Sequence, residues 1–291
     1  MKMSVECIRC IVDAQARQAE HMKEEEVKRS YLRRVLSMLS ECDEEVTAPA
    51  IVRQIEDLYV QMGGPLQDFT QIKKEYNECM LQLEQEIERK IEAAPDSLAM
   101  ALAYARAGNY IDFASGHAVD RATLLSLLEQ QSLQAVDETV YREFLQDLSK
   151  ARQFVFLLDN CGEIVLDKLV LKQLKKRFPN VSLTAFVRGY PTSNDVTLDD
   201  AEQTGLKEVA HVISNGSPVA GTDMGTMSDS AVKLLKQADI ILSKGQGNYE
   251  TLSGCGLNVY YLFLIKCSCF QKLFENPIHT GMFVREERII C

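Results

Sequence analysis

Four short stretches in the second half of this 291-residue chain gather the residue types that do metal and phosphate chemistry. Asp159-Asn160-Cys161-Gly162-Glu163 brings two carboxylates and an amide oxygen together. Arg188-Gly189-Tyr190-Pro191-Thr192-Ser193-Asn194-Asp195 ends on a further carboxylate. Ser214-Asn215-Gly216 through Gly221-Thr222 is a Gly/Ser/Thr loop, and Lys244-Gly245-Gln246-Gly247-Asn248 sets a cation beside two glycines. Oxygen ligands next to a cation and bare backbone amides suit a hard divalent cation that keeps several waters and bridges to phosphate. Each stretch alone has an ordinary reading. An Asp-Asn pair after a strand commonly makes a turn or a helix cap, and Asp195 could cap a helix starting near Leu198. Lys244 alone reads as a solvated loop lysine. Their coincidence on one rim of one sheet is what points to a site.

The rim comes from the elements around these stretches. Phe154–Leu158 is a short apolar run suited to a strand buried on both faces, and 182–187, 209–213, 240–243 and 259–265 read as further strands. Helical patterns at 164–178, 198–204 and 228–237 alternate with them. This is the rhythm of an open, mostly parallel α/β sheet, whose ligands sit beyond the carboxyl ends of the strands, where the four stretches fall. Before residue 150 the pattern is helical throughout: 3–22, 27–39, Pro49 to the Gly63-Gly64-Pro65 breaker, 69–93 up to Pro95, 97–108, and 120–150 with a break near Gln131. The expected layout is a helical domain over 1–150 and an α/β domain of five or more strands over 151–291.

Composition agrees with that division. Residues 1–150 hold 17 Lys+Arg against 27 Asp+Glu, a net of −10, while 151–291 hold 15 of each; 11 of the 15 glycines lie in the second part. An acidic chain is unsuited to sequence-independent contact with nucleic acid or an anionic membrane. The apolar run 259–265 is too short to cross a bilayer, which takes about 20 residues. The start, MKMSVECIRC, has no apolar leader, and nine cysteines spread over a long chain are no disulfide framework. A reduced, cytoplasmic protein is expected. No P-loop, complete G-x-G-x-x-G or G-x-S-x-G elbow is present, and no arginine follows Cys161 closely enough for a cysteine phosphatase. Cys161 therefore reads as a small packing residue.

The string Leu158-Asp159-Asn160-Cys161-Gly162-Glu163-Ile164-Val165-Leu166-Asp167 resembles the DNxGE signature of the metal-dependent damage-control phosphatases. Gly108-Asn109-Tyr110-Ile111-Asp112-Phe113, Asn194-Asp195-Val196-Thr197 and Lys244-Gly245-Gln246-Gly247-Asn248 follow the family's order over nearly the whole chain. Cys7-Ile8-Arg9-Cys10 is similar to the N-terminal CxxC of its microbial branch. The resemblance implies a helical N-terminal domain, a Rossmann-like three-layer α/β/α C-terminal domain, and hydrolysis of small phosphorylated metabolites such as sugar phosphates with Mn²⁺, Co²⁺, Ni²⁺ or Mg²⁺. It implies Asp159, Asn160 and Asp195 as metal ligands and Lys244 as a phosphate contact. It further implies Asn109 and Asp112 facing the cleft, with Glu163, Gly245, Asn248, Gly221 and Thr222 as weaker candidates. Cys161 departs from the family's expected alanine or serine. Attack by metal-activated water is the leading chemistry, with direct attack by Asp159 as the alternative. A non-catalytic phosphometabolite-binding regulator and a carboxyl methyltransferase are the competing readings of the same rim.

Cys7 and Cys10 lie one turn apart on one helical face. They read as buried packing thiols, as a redox pair, or as half a zinc site that Cys267 or Cys269 would complete. His21, His117, His211 and His279 lack metal-ligand spacing and read as structural or surface residues, except that His117, which follows Asp112, could approach the cleft.

Overall fold

The computed structural model describes residues 1–109 and 121–286. Among them, helices alone precede residue 153: α1 (Val5–Ala19), α2 (Glu25–Glu41), α3 (Ala48–Gln61), α4 (Thr70–Ala93), α5 (Ser97–Gly108), α6 (Arg121–Ser132) and α7 (Glu138–Leu148). Short polar side chains start several of them by satisfying first-turn amides. Ser4 accepts from the Cys7 N–H, Asp96 from Leu98 and Ala99, and Asp137 from Val140. Pro49 sits in the first turn of α3, where no amide hydrogen is needed. The break expected near Gln131 falls just after it, between α6 and α7.

The rest alternates: β1 (Gln153–Leu157), α8 (Glu163–Arg177), β2 (Ser182–Val187), α9 (Leu198–Gln203), β3 (His211–Ser214), α10 (Asp229–Gln237), β4 (Ile240–Lys244), α11 (Gln246–Leu252), β5 (Val259–Leu264), α12 (Ser268–Phe274) and β6 (Gly281–Arg285). The strand order is β3-β2-β1-β4-β5-β6, parallel from β3 to β5 and antiparallel at β6. This reproduces the 3-2-1-4-5-6 order of doubly wound α/β sheets. Alternate residues of β1 feed two cores, Phe154 and Phe156 one face, Val155 and Leu157 the other. The first face is covered by α4, α5, α7 and α8 through residues such as Ile87, Leu102, Phe144 and Leu169, so one apolar core crosses residue 150. Helices α1 to α3 keep a cluster of their own around Tyr31, Val35 and Ile55.

Because β1 to β5 run parallel, their carboxyl ends share one rim. The residues just beyond them are Leu158-Asp159, Arg188, Asn215, Gly245 and Ile265-Lys266.

Candidate functional site

Two strand-end loops are stitched together at the centre of the rim. The Cys161 N–H donates to Asn194 C=O (2.9 Å), Val196 N–H to Asp159 C=O (2.9 Å), and Arg188 N–H to Val196 C=O (2.8 Å). An isolated antiparallel bridge between Asn160 and Asp195 results. It brings Asp159, Asn160 and Asp195 side by side. Asp195 caps no helix: the N-cap of α9 is Thr197, which forms a reciprocal capping box with Asp200.

Arg188 is the residue that no motif announced. Its buried guanidinium spans the site, with Nε 2.5 Å from Asp195 Oδ2, Nη2 3.4 Å from Asp159 Oδ1 and Nη1 3.3 Å from Asn248 Oδ1. Its position, the first residue past β2, is the signal that finds it. Asp159 Oδ2 accepts from Asn160 Nδ2 at 2.8 Å and from Asn109 Nδ2 at 3.3 Å. Glu163, fully buried at the start of α8, accepts the Asn160 N–H (2.9 Å) and an Asn109 amide hydrogen (3.2 Å). Asn109, the last described residue before the gap, thus reaches from the end of α5 into the site. Asp112 and His117 lie outside the described residues.

The Lys244 loop packs directly behind the carboxylates. Lys244 is fully buried, its Nζ 2.7 Å from Asp167 Oδ1 and 3.5 Å from Glu163 Oε2. Those two carboxylates outweigh the opposing effect of burial and hold the ammonium above its usual range. Asn248 is also buried and works as a clip, donating to Leu158 C=O and Lys244 C=O and accepting from Thr222 Oγ1 at 2.7 Å. Gly221 adjoins the same clip, because a side chain there would meet Gly247 C=O at 2.7 Å. Gly245 has φ 76°, and a Cβ there would lie 2.0 Å from Asp159 Oδ2. The exposed cation of the rim is Lys266, just past β5 and within electrostatic reach of Asp159. The same strand-end rule, applied to the fifth strand, identifies it.

The enclosed charges do not balance. Among the described residues, Asp159, Glu163, Asp167 and Asp195 face two buried cations, Arg188 and Lys244. Burial pushes the Asp159 carboxyl up to about 7, and the Asp195 and Glu163 charges add to the shift. Burial likewise raises Asp195 despite Arg188. An excess of negative charge with oxygen donors directed to one place fits a divalent cation. No three His, Cys, Asp or Glu side chains among the described residues form a metal-binding group; the set here is two carboxylates and one amide oxygen. Cys161, beneath them, is buried, and burial lifts its thiol to about 12, which keeps it an inert packing group. Beside the β2 loop opens a cavity of about 1500 Å³ walled by Thr192, Ser193 and Thr197, which flank Asp195, and by Arg53, Tyr59 and Lys73 from α3 and α4.

A family model described as the damage-control phosphatase ARMT1-like domain matches residues 3–279. A damage-control phosphatase of Pyrococcus horikoshii is 25% identical over 285 residues, covering 95% of this chain and 96% of its own. Another, from Archaeoglobus fulgidus, is 30% identical over 220 residues, 74% of each chain. The crystal structure of a DUF89 family protein from Pyrococcus horikoshii has the same fold, with a TM-score of 0.83 at 23% identity over 99% of this chain and 100% of that one. The chain belongs to the ARMT1-like damage-control phosphatase domain family.

Proposed function

We propose that the chain is a divalent-cation-dependent phosphatase that hydrolyses small phosphorylated metabolites, sugar phosphates or related phosphomonoesters. The observation that carries this reading is the half-buried Asp159 with the buried Glu163, Asp167 and Asp195, four carboxylates set against two buried cations at and just behind the rim where parallel strands end. Family membership and relatives named damage-control phosphatases support it. Asp159, Asn160 and Asp195 would hold the cation, which on binding supplies a Lewis acid for a phosphoryl oxygen and a bound water of lowered pKa. Mn²⁺, Co²⁺, Ni²⁺ and Mg²⁺ all accept such oxygen donors.

The chain's own residues supply the preorganisation. Asn109 and Asn160 hold Asp159 Oδ2 through their amide hydrogens, and Glu163 fixes both asparagines. Arg188 holds Asp195 in a charge-assisted hydrogen bond. Lys266, exposed on the same rim, would meet the outer oxygens of a phosphate. Lys244 neutralises Asp167 and Glu163 behind the site rather than facing a substrate.

Phosphate release from p-nitrophenyl phosphate and sugar phosphates, measured with each divalent metal, tests the reading. Asp195→Asn removes a formal charge from the cation's shell without removing a helix cap. Activity should then fall by at least about 10²-fold, the loss of one strong transition-state electrostatic contact. Mn²⁺ affinity should fall with it, while the metal-free variant melts no lower than the parent. Undiminished activity in Asp195→Asn overturns the assignment, and substrate binding without any phosphate release overturns the enzymatic reading.

A further inference from the structure

The N-terminal CxxC takes no part in the chemistry above, yet the fold answers where its partners are. Helix α1 packs against α12, and Glu6 pairs with Lys272 across the seam. Ser4 Oγ lies 3.3 Å from Cys7 Sγ and 3.3 Å from Cys269 Sγ, joining thiols 262 positions apart in sequence. Cys267 stands two residues before Cys269, at the N-cap of α12. Cys10 follows Cys7 by one turn on the same face of α1 and is exposed. Cys7 is half-buried and Cys10 open, so the two are not a buried packing pair.

We propose that Cys7, Cys10, Cys267 and Cys269 form a thiolate site for a soft divalent ion of the Zn²⁺ type, distinct from the oxygen-lined rim. A C-x₂-C segment and a C-x-C segment contributed by two helices supply the four sulfurs that such an ion takes in tetrahedral geometry. Sulfur donors select it over the hard cations of the rim. As the thiols stand they are not a finished metal cage, since no three such side chains among the described residues form one. Ser4 Oγ bridges two of them, and binding would require the four side chains to rotate inward. The site also touches the rim. Gln246 Nε2 donates to Cys267 Sγ at 3.5 Å, and its Oε1 accepts the Lys266 N–H at 2.5 Å. A bound ion would pin α1 to the strand end that carries Lys266.

The test uses the full chain, reduced and stripped of metal, titrated with Co²⁺ and then Zn²⁺. We expect a near-ultraviolet sulfur-to-cobalt charge-transfer band that saturates at one equivalent and is displaced by Zn²⁺. Cys7→Ser and Cys269→Ser should each abolish it. Cys42→Ser, a thiol that instead bonds Leu39 C=O, should leave it intact. Asp195→Asn should also leave it intact, which separates failure of this site from failure of the phosphatase reading. In the unmutated chain, Zn²⁺ should slow iodoacetamide labelling of Cys7, Cys10, Cys267 and Cys269 by at least tenfold, read by mass spectrometry. Absence of the thiolate band, a band that survives Cys7→Ser, or unprotected labelling of these cysteines overturns the proposal.

Discussion

Lys244 ends β4 and Lys266 follows β5, so the two lysines leave neighbouring parallel strands on the same rim. Their surroundings give them different roles. Lys244 neutralises two buried carboxylates, one of which, Asp167, already has an oxygen (Oδ2) with no hydrogen-bond partner. Lys244→Met leaves those acids uncompensated in an apolar interior and should cost about 3–5 kcal/mol, visible as a large drop in melting temperature. Lys266→Met should leave stability unchanged and raise KM for phosphate esters by about 10-fold or more, the worth of one charge-assisted hydrogen bond. The reverse pattern would return the phosphate role to Lys244. Asp159 adds a dependence on pH. Its folded carboxyl titrates near 7, above the ordinary 3.8, so this group withdraws stability as pH rises from about 4 through 7. A cation must displace that proton. Mn²⁺ affinity should therefore climb as pH rises through about 7 and level off above it, as calorimetric titration on either side of that value would show.

At the scale of elements, the loop after β4 depends on a missing side chain. Gly245 combines φ 76° with a Cβ position that falls on Asp159 Oδ2. Gly254 has a similar φ of 84° but nothing within 4 Å of its Cβ position. Alanine at either position carries the strain of a positive φ, roughly 1–3 kcal/mol. Only Gly245→Ala should also displace the carboxylate and weaken Mn²⁺ binding, so thermal melts and metal titrations of the pair separate backbone cost from site damage. Equal metal affinity in the two variants would mean that the Asp159 carboxylate is not a ligand. This scale also marks what the sequence could disclose. The central strands β1, β4 and β5 are legible because burial on both faces writes them as largely apolar runs. Strand β6 is not, because it is a five-residue edge strand in which only Phe283 is buried. Helices α11 and α12, seven residues each, are too short to show a period. Asp159, Asn160 and Asp195 are legible from their strand ends. Arg188 acquires its role only when the Asn160–Asp195 bridge closes two loops on it, and the burial that separates Lys244 from Lys266 is written in no local pattern.

Across the whole molecule, the change of composition near residue 150 marks a change of element type and not an end of packing. Phe144 of α7 sits edge-on to Phe154, Tyr260 and Phe283, and Asn77 of α4 bonds both Asp200 and the Gly162 N–H. Helices α4, α5 and α7 thus belong to the layers of the sheet, while α1 and α3 line one side of the cavity of about 1500 Å³. This arrangement separates two tasks. Under the proposed reading, the carboxylates at the strand ends would fix where a phosphate reacts, and the cavity wall would fix what can be attached to that phosphate. Val60, on the α3 side of the wall, is 46% exposed, so tryptophan there fills space without disturbing a core. Val60→Trp should leave kcat and KM for p-nitrophenyl phosphate within about twofold of the parent, while KM for larger phosphorylated metabolites rises by about tenfold with kcat unchanged. Such a split is the signature of lost uniform binding, with the chemical step untouched. Equal loss on both substrates, together with a lowered melting temperature, would trace the effect to folding. No change on either would place the substrate's path elsewhere than between α3 and the β2 loop.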